Sequence, residues 1–459
     1  MKTSKLLLLL IFFITASVIT TAQKNTGEWT SLFDGKTFNG WKKLSGTADY
    51  KIENGMILGT TVLSSPNTFL VTEKEYGDFV LELDVKIEDT TANSGIQFRS
   101  HFNAAANNGK GKVYGYQYEL DPSSRRWTAG IYDEGRRDWL YPLSLNATAQ
   151  NAFRLGQFNK VHIECIGNEL KTWINGVPAA YVVDTVDAKG FIALQVHSIG
   201  DNQNFVGEKI YWKNIKIKTK NIKPTAFPNN VYVLNNIPNY LCSYEKNSGW
   251  ELLFDGVSTN GWRGAYKTTF PEKGWQVNNG LLTVLSSEGK EGGNGGDIVT
   301  LDQYSAFDLS FEFKLSPGAN SGVKYFVTLT ENNQGSAIGL EYQILDDSLH
   351  PDAKLGINGN RTLASLYDLI KAQKQPRFMH KIGEWNTGRI IVYPNNHVEH
   401  YLNGIKVLEY ERGSQAYHDL VAISKYKIWP NFGQAKKGHI LLQDHGNEVS
   451  FRSIKLKPL

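Results

Sequence analysis

Three stretches of this chain place chemically capable side chains two residues apart. Gln117 and Glu119 lie in Gly-Tyr-Gln-Tyr-Glu-Leu, Gln195 and His197 in Leu-Gln-Val-His, and Gln97 and Arg99 in Asn-Ser-Gly-Ile-Gln-Phe-Arg. On a β-strand that spacing turns both members of a pair to one face. Tyr116, Tyr118 and Leu120, Ile96 and Phe98, and Ile192, Leu194 and Val196 then face the core. The set recurs as Glu341 with Gln343, Gln443 with His445, and Lys324 in the place of Arg99. A sheet face carrying a carboxyl, amides, an imidazole and a cation suits a polyhydroxylated ligand and has the groups for proton transfer. A solvated outer face, common in antiparallel sheets, is the plainer reading. Recurrence at three matched strands speaks against it, because solvated faces drift toward Lys, Thr, Ser and Glu.

Other residues could do chemistry from loops. Asp346, His350 and Asp352, or Asp121, Asp133 and Glu134, could hold a divalent metal. Short Asp/His clusters also serve as turn and capping residues. Arg136-Arg137 could clamp a charged sugar, although surface Arg pairs are usually solvated. A retaining glucanase needs two carboxylates flanking the bond, commonly as E-x-D-x-x-E on one strand. Glu119-Leu-Asp121-Pro-Ser-Ser124 ends in Ser, and Gln343 stands where an Asp would be required, so that chemistry does not fit. Abundant Trp and Tyr suit sugar stacking, but Trp29, Trp41, Trp250 and Trp262 flank an Asp-Gly turn and read as core and hairpin residues.

The elements that must position these groups occur twice. W-x-x-L-F-D-G-x-x-x-N-G-W runs from Trp29 to Trp41 and again from Trp250 to Trp262. Asn-Gly, Asn-Ser-Gly, a second Asn-Gly and Leu-Gln-x-His follow in the same order in both halves. The chain is therefore two copies of one domain, at 27–218 and 249–459, joined by a Pro- and Asn-bearing connector at 219–248. Alternating runs such as Phe79–Ile87, Val161–Ile166, Lys209–Lys218 and Arg389–Tyr393 read as strands. The Asn-Gly pairs at 54–55, 175–176, 279–280 and 403–404 read as hairpin turns, because both positions need φ > 0. Helical periodicity is almost absent; Thr362–Lys374 is the best short helix candidate. The expected fold is all-β, two jelly-roll β-sandwiches in tandem.

Residues 1–22 read as an export signal: Lys2 and Lys5, an apolar stretch from Leu6 to Ile14, then small residues before Gln23. The expected location is outside the cytoplasm, periplasmic or secreted, with no membrane span. Among 459 residues there are two Cys, so this is no disulfide scaffold; Cys165 reads as a core thiol. A net charge of +4 with scattered Lys and Arg gives no polybasic stripe and no expectation of nucleic-acid binding. Oligomeric state is left open.

These motifs in combination closely resemble the 3-keto-disaccharide hydrolase domain family, over both copies. The resemblance rests on the W-x-x-L-F-D-G-x-x-x-N-G-W segment, Asn-Ser-Gly, the G-x-[EQ]-Y-[EQ] strand, Trp-Ile-Asn-Gly or Tyr-Leu-Asn-Gly, and Leu-Gln-x-His. It implies a concanavalin A-like jelly roll and action on glycosides oxidised at C3. The second copy is similar to the commoner form, through Ser365-Leu-Tyr367-Asp368 among other stretches. The first resembles a variant subgroup, through Gly130-Ile-Tyr132-Asp133-Glu134-Gly-Arg136-Arg137-Asp-Trp139.

A C3 ketone acidifies the C2 proton, so a base, an enolate-stabilising cation and an acid could expel the C1 substituent by elimination. On residue type, His445 (or His197) is the base, Lys324 (or Arg99) the cation and Glu341 (or Glu119) the acid, with Gln343 in the same set. Substrate contacts are expected from Gln97, Gln117, Gln195 and Gln443, and from Tyr367, Asp368, Tyr132, Arg137 and Trp139. The expected substrate is a 3-keto-glycoside; no cofactor is certain, and a divalent metal that could polarise the ketone is left open. The alternative is a non-catalytic, lectin-like tandem carbohydrate-binding protein.

Overall fold

The Asp-Gly turn closes in the same way in both copies. Asp34 Oδ1 accepts the backbone N–H groups of Lys36 (2.8 Å) and Thr37 (2.7 Å), and Asp255 Oδ1 those of Val257 (2.8 Å) and Ser258 (2.7 Å). The indole N–H of Trp41 then donates to Leu32 O, and that of Trp262 to Leu253 O. The repeated motif is thus a structural clasp, with both indoles buried. This is a computed structural model that describes residues 29–330 and 337–459; the expected export signal lies outside them.

Among the described residues, each copy is a two-sheet sandwich. In the first, a nine-stranded sheet packs against a seven-stranded sheet, whose centre runs Ile131–Glu134, Lys112–Leu120, Ser94–Asn103, Gly190–Val196. In the second, an eight-stranded sheet packs against a five-stranded sheet ordered Trp262–Gly264, Ile298–Thr300, His439–Leu442, Asn320–Thr328, Ile338–Leu345. All four Asn-Gly pairs are turns with positive φ at both residues. Tyr116, Tyr118, Leu120, Ile96, Phe98, Ile192 and Leu194 lie in the first core, and Leu340, Tyr342, Ile344, Ile440 and Leu442 in the second. Cys165 and Cys242 are buried and unbridged. Among the described residues no helix is long and apolar enough to cross a membrane.

Two expectations need correction. The strand register shifts after Phe98, with Arg99 at φ +46°, and in the same way after Tyr325, with Phe326 at φ +53°. Each bulge breaks the alternation and turns the next side chain away from the polar face. Counted from the shared Asn-Ser-Gly, Lys324 takes the place of Gln97, and Phe326 that of Arg99. Thr362–Lys374 is a chain of turns, because Ala364 (φ +65°) and Asp368 (φ +59°) leave the helical region. Among the described residues the longest helix instead spans Gln415–Ile423, capped by the Ser414 side chain.

The connector is pinned to both copies. Leu234–Asn235 pairs with Val182 and Val183 of the first, while Glu245 forms a buried ion pair with Lys455 of the second. Phe378 and Ile405 of the second copy join the first copy's core, with the Phe378 ring 5.5 Å from that of Trp127.

Candidate active site

Adjacent antiparallel strands place Lys324 directly opposite Glu341. The next strand places Gln443 beside Gly322, with a 3.0 Å bond from Gln443 N to Gly322 O. Glu341, Lys324, Gln343, Gln443 and His445 therefore meet on the outer face of the five-stranded sheet. They line one cavity of about 540 Å³, together with Tyr367. Lys324, Glu341, Gln343 and Gln443 are buried at its floor.

Burial pushes the Glu341 carboxyl above its ordinary range, against the pull of Lys324, Lys425 and His445. Lys324 Nζ lies 3.9 Å from Glu341 Oε2 and donates to Ala337 O at 3.1 Å. With its amide nitrogen turned toward them, Gln343 donates to Glu341 Oε1 (3.1 Å) and Ser321 O (3.0 Å). Gln443 Oε1 is buried without a hydrogen-bond partner among the described residues. His445 Nε2 stands 4.0 Å from Glu291 Oε2 at the rim.

Lys425, Trp429, Glu291 and Asn320 also line this cavity and were missed in the sequence. Burial pulls the Lys425 ammonium below its ordinary pKa, while Glu341 draws it back up. The ammonium rests 4.2 Å from the centre of the Tyr367 ring. Lys425 and Trp429 sit in the connection 412–438, where the first copy has only 184–189. The excess length between matched motifs was the available signal. For Asn320 the signal was its place in the repeated Asn-Ser-Gly.

In the first copy, Gln97, Gln117, Glu119 and Gln195 share the matching face, but amides lock to one another there. Gln97 donates to Gln117, which donates to Glu119 (2.7 Å), and Asn93 holds the other Glu119 oxygen (2.8 Å). Burial raises Glu119 to about 7. Tyr132 stands opposite Gln117 and donates to Asp138 (2.7 Å). His197 is held by Ser198 O (2.7 Å), and burial lowers its pKa. Arg99 is not part of this site. It is buried, bonded to the carbonyls of Gly77 (2.9 Å), Gly167 (2.8 Å) and Asp187 (3.3 Å), and paired with Asp78. Trp139 packs edge-on to Trp127 and, with Arg137, lines a cleft of about 670 Å³ between the copies.

The metal candidates have other partners. Asp346 accepts the N–H groups of Gly318 (2.8 Å) and Ser348 (3.0 Å), and His350 caps Asp352 N (3.2 Å). Arg361 binds both Asp352 (2.9 Å) and Asp368 (2.7 Å), and Asp368 is not among the side chains that line the cavity. Asp121 is paired with Arg125 (2.7 Å), and Asp133 with Arg136 and Arg137. Arg137 is further paired with Asp184 (2.8 Å). Glu134 accepts from Asn67 (3.2 Å) and Gln195 (3.4 Å). No three of these candidates bring ligand atoms together; among the described residues the group that does is His397, Glu399 and Glu409, away from the cavity.

A family profile described as the 3-keto-alpha-glucoside-1,2-lyase-like domain matches residues 28–218 and 249–457. The chain belongs to this family. It is 38% identical over 232 residues to a 3-keto-disaccharide hydrolase of Bacteroides thetaiotaomicron, across 46% of this chain and 79% of that one. A Parabacteroides distasonis protein of known structure, provisionally named a glycosyl hydrolase, is 29% identical (TM-score 0.41; 48% of this chain, 99% of that one). The carbohydrate-binding module CBM66 of Bacillus subtilis is 18% identical (TM-score 0.27; 39% of this chain, 94% of that one). As a 3-keto-glucoside lyase-like protein, the chain is a glycoside-cleaving enzyme of the hydrolase or lyase type.

Proposed function

We propose that the second copy cleaves 3-keto-glycosides, including 3-keto-disaccharides, by elimination across C1–C2. The observation that carries this reading is the raised carboxyl of Glu341 sharing one cavity with two lysines and an imidazole. His445 takes the C2 proton, and the C–H electron pair becomes the C2–C3 enolate. Lys324 and Lys425 hold the negative charge on O3. The enolate pair then forms the C1=C2 bond as the C1–O bond breaks, and the departing oxygen takes a proton from Glu341. Addition of water, OH to C1 and H to C2, gives net hydrolysis; release before it gives a lyase. The partnerless Gln443 Oε1 suits a sugar hydroxyl as donor. The first copy has Gln97 and Gln117 at the positions of Lys324 and Glu341, so the chemistry is assigned to the second.

Export to the periplasm or beyond is part of the proposal, from the amino-terminal pattern; fractionation of expressing cells tests it. The chemistry is tested by product analysis in deuterated water, with 3-keto glucosides and their unoxidised parents. Cleavage of the keto forms alone, with deuterium at C2 of the released sugar, is expected. Binding of the keto forms without cleavage would replace this reading with the lectin-like one.

A further inference from the structure

Arg361 stands outside the cavity that holds Lys324 and Glu341, and so do Asp352 and Asp368. The three are bonded to one another. Arg361 Nε donates to Asp368 Oδ1 (2.7 Å) and Nη1 to Asp352 Oδ1 (2.9 Å), so different nitrogens of one planar guanidinium hold two carboxylates. The second oxygen of Asp368 accepts the backbone N–H of Lys425 at 2.8 Å, across 57 residues of chain. Asp368 is buried and holds φ at +59°, a conformation that strains a non-glycine residue and persists only where its surroundings fix it. Tyr367, just before it, donates its N–H to Glu341 O at 3.0 Å. The peptide 367–368 is therefore tied to the strand of Glu341 on one side and to Lys425 on the other.

Tyr367 and Lys425 do line the cavity. The Lys425 ammonium lies 4.2 Å from the centre of the Tyr367 ring, and the Arg361 guanidinium 5.3 Å from it. Among the described residues the Lys425 side chain has ring contacts, to Tyr367 and Tyr426, but no hydrogen bond or ion pair. Its place is set by its backbone, which Asp368 holds, and by the ring beside it. Lys324, by contrast, is anchored through its own ammonium, to Ala337 O. We infer that Arg361 is a positioning residue for cleavage: through Asp368 and Tyr367 it fixes where the Lys425 ammonium meets O3 of the substrate. The inference rests on the enolate-holding role proposed for Lys425. Misplacing such a group by about 1 Å can cost about a hundredfold in rate. The fork is the reason for arginine, because lysine brings the charge but cannot hold two carboxylates at fixed angles.

The test is a double-mutant cycle read in kcat. On a 3-keto glucoside, kcat and KM are measured for wild type, Arg361→Ala, Lys425→Ala and the two together, with the thermal midpoint of each protein. Lys425→Ala is expected to lower kcat about 100-fold. Arg361→Ala is expected to lower kcat about tenfold with KM within about threefold, because the enolate charge exists only after the C2 proton has left. Added to Lys425→Ala, it is expected to lower kcat by no more than about twofold further, while its effect on the thermal midpoint stays the same. An arginine that only supports the fold would raise KM, or lose kcat equally in both backgrounds, and either result overturns the inference. Arg361→Lys keeps the charge beside the carboxylates and replaces the alanine in the cycle if that variant does not fold. It is expected to lose about threefold or more in kcat, and wild-type kcat in it overturns the role of the fork. Unchanged kcat in Lys425→Ala removes Lys425 from the proposed function and overturns the inference with it. A loss there beside unchanged kcat in Arg361→Ala overturns the inference alone.

Discussion

Lys324 and Glu341 face one another across two paired strands with 3.9 Å between ammonium and carboxylate, and the same two positions in the first copy hold Gln97 and Gln117. One sandwich thus buries a carboxyl beside an ammonium where its twin buries an amide pair. Burying charged groups is costly unless they are used or well paired, and this contrast supports the proposal that cleavage occurs in the second copy.

Replacing Lys324 by Gln imports the first copy's residue. The enolate loses a cation, and kcat is expected to fall about 100-fold or more with a smaller change in KM. Steady-state kinetics on a 3-keto glucoside checks this. Wild-type turnover in the variant would remove Lys324 from the mechanism.

His445→Ala and His197→Ala separate the two copies. His445 lines the cavity proposed as catalytic, whereas His197 is bonded to Ser198 O. Turnover is expected to collapse in the first variant, by about 100-fold or more, and to persist in the second. Loss of turnover in both, with unchanged thermal midpoints, would mean that the first copy also reacts.

Glu119 links stability to pH. Its folded pKa of about 7 lies above its ordinary 4.5, so the folded state holds the proton more tightly. Its contribution is complete below about pH 4.5 and is lost as pH rises through about 7, a loss of about 3 kcal/mol at most. Glu119→Gln cannot ionise and should flatten that fall. Denaturant unfolding of both proteins at pH 5 and pH 8 measures it; parallel losses in the two would show that Glu119 is not responsible.

Arg99→Ala should destabilise without touching catalysis. The buried guanidinium is the donor to three carbonyls, and truncation leaves them without it, at a cost of about 2–4 kcal/mol. Urea unfolding and KM, measured together, check this. A changed KM at unchanged stability would return Arg99 to a sugar-binding role.

Phe378→Ala should loosen the two copies from each other. The ring is buried in the first copy's core, against Trp127, although its chain belongs to the second. Its removal is expected to cost about 3 kcal/mol and to split one calorimetric transition into two. A single unsplit transition would show that the connector alone couples them.

Local chemistry made much of this protein legible in its sequence. Period-2 alternation sorts Glu341, Gln343 and Gln443 to one face and Tyr342, Ile344 and Leu442 to the other, whatever the rest of the chain does. Asn-Gly requires its turn wherever it stands, and so the four hairpins, the doubling and the outward polar face could be read directly. The remainder depended on register and on distant segments. One bulge reversed Arg99 and moved it from the expected site into a structural anchor, and alternation carries no warning of a bulge. Asp121, Asp133, Asp352 and Asp368 pair with arginines three to nine residues away in the chain, pairings that the local loop conformation sets and residue type does not announce. Lys425 reached the cavity from a connection, 412–438, far longer than its first-copy counterpart, 184–189. Alternation decides which face a strand side chain takes; only the tertiary structure decides what meets it there.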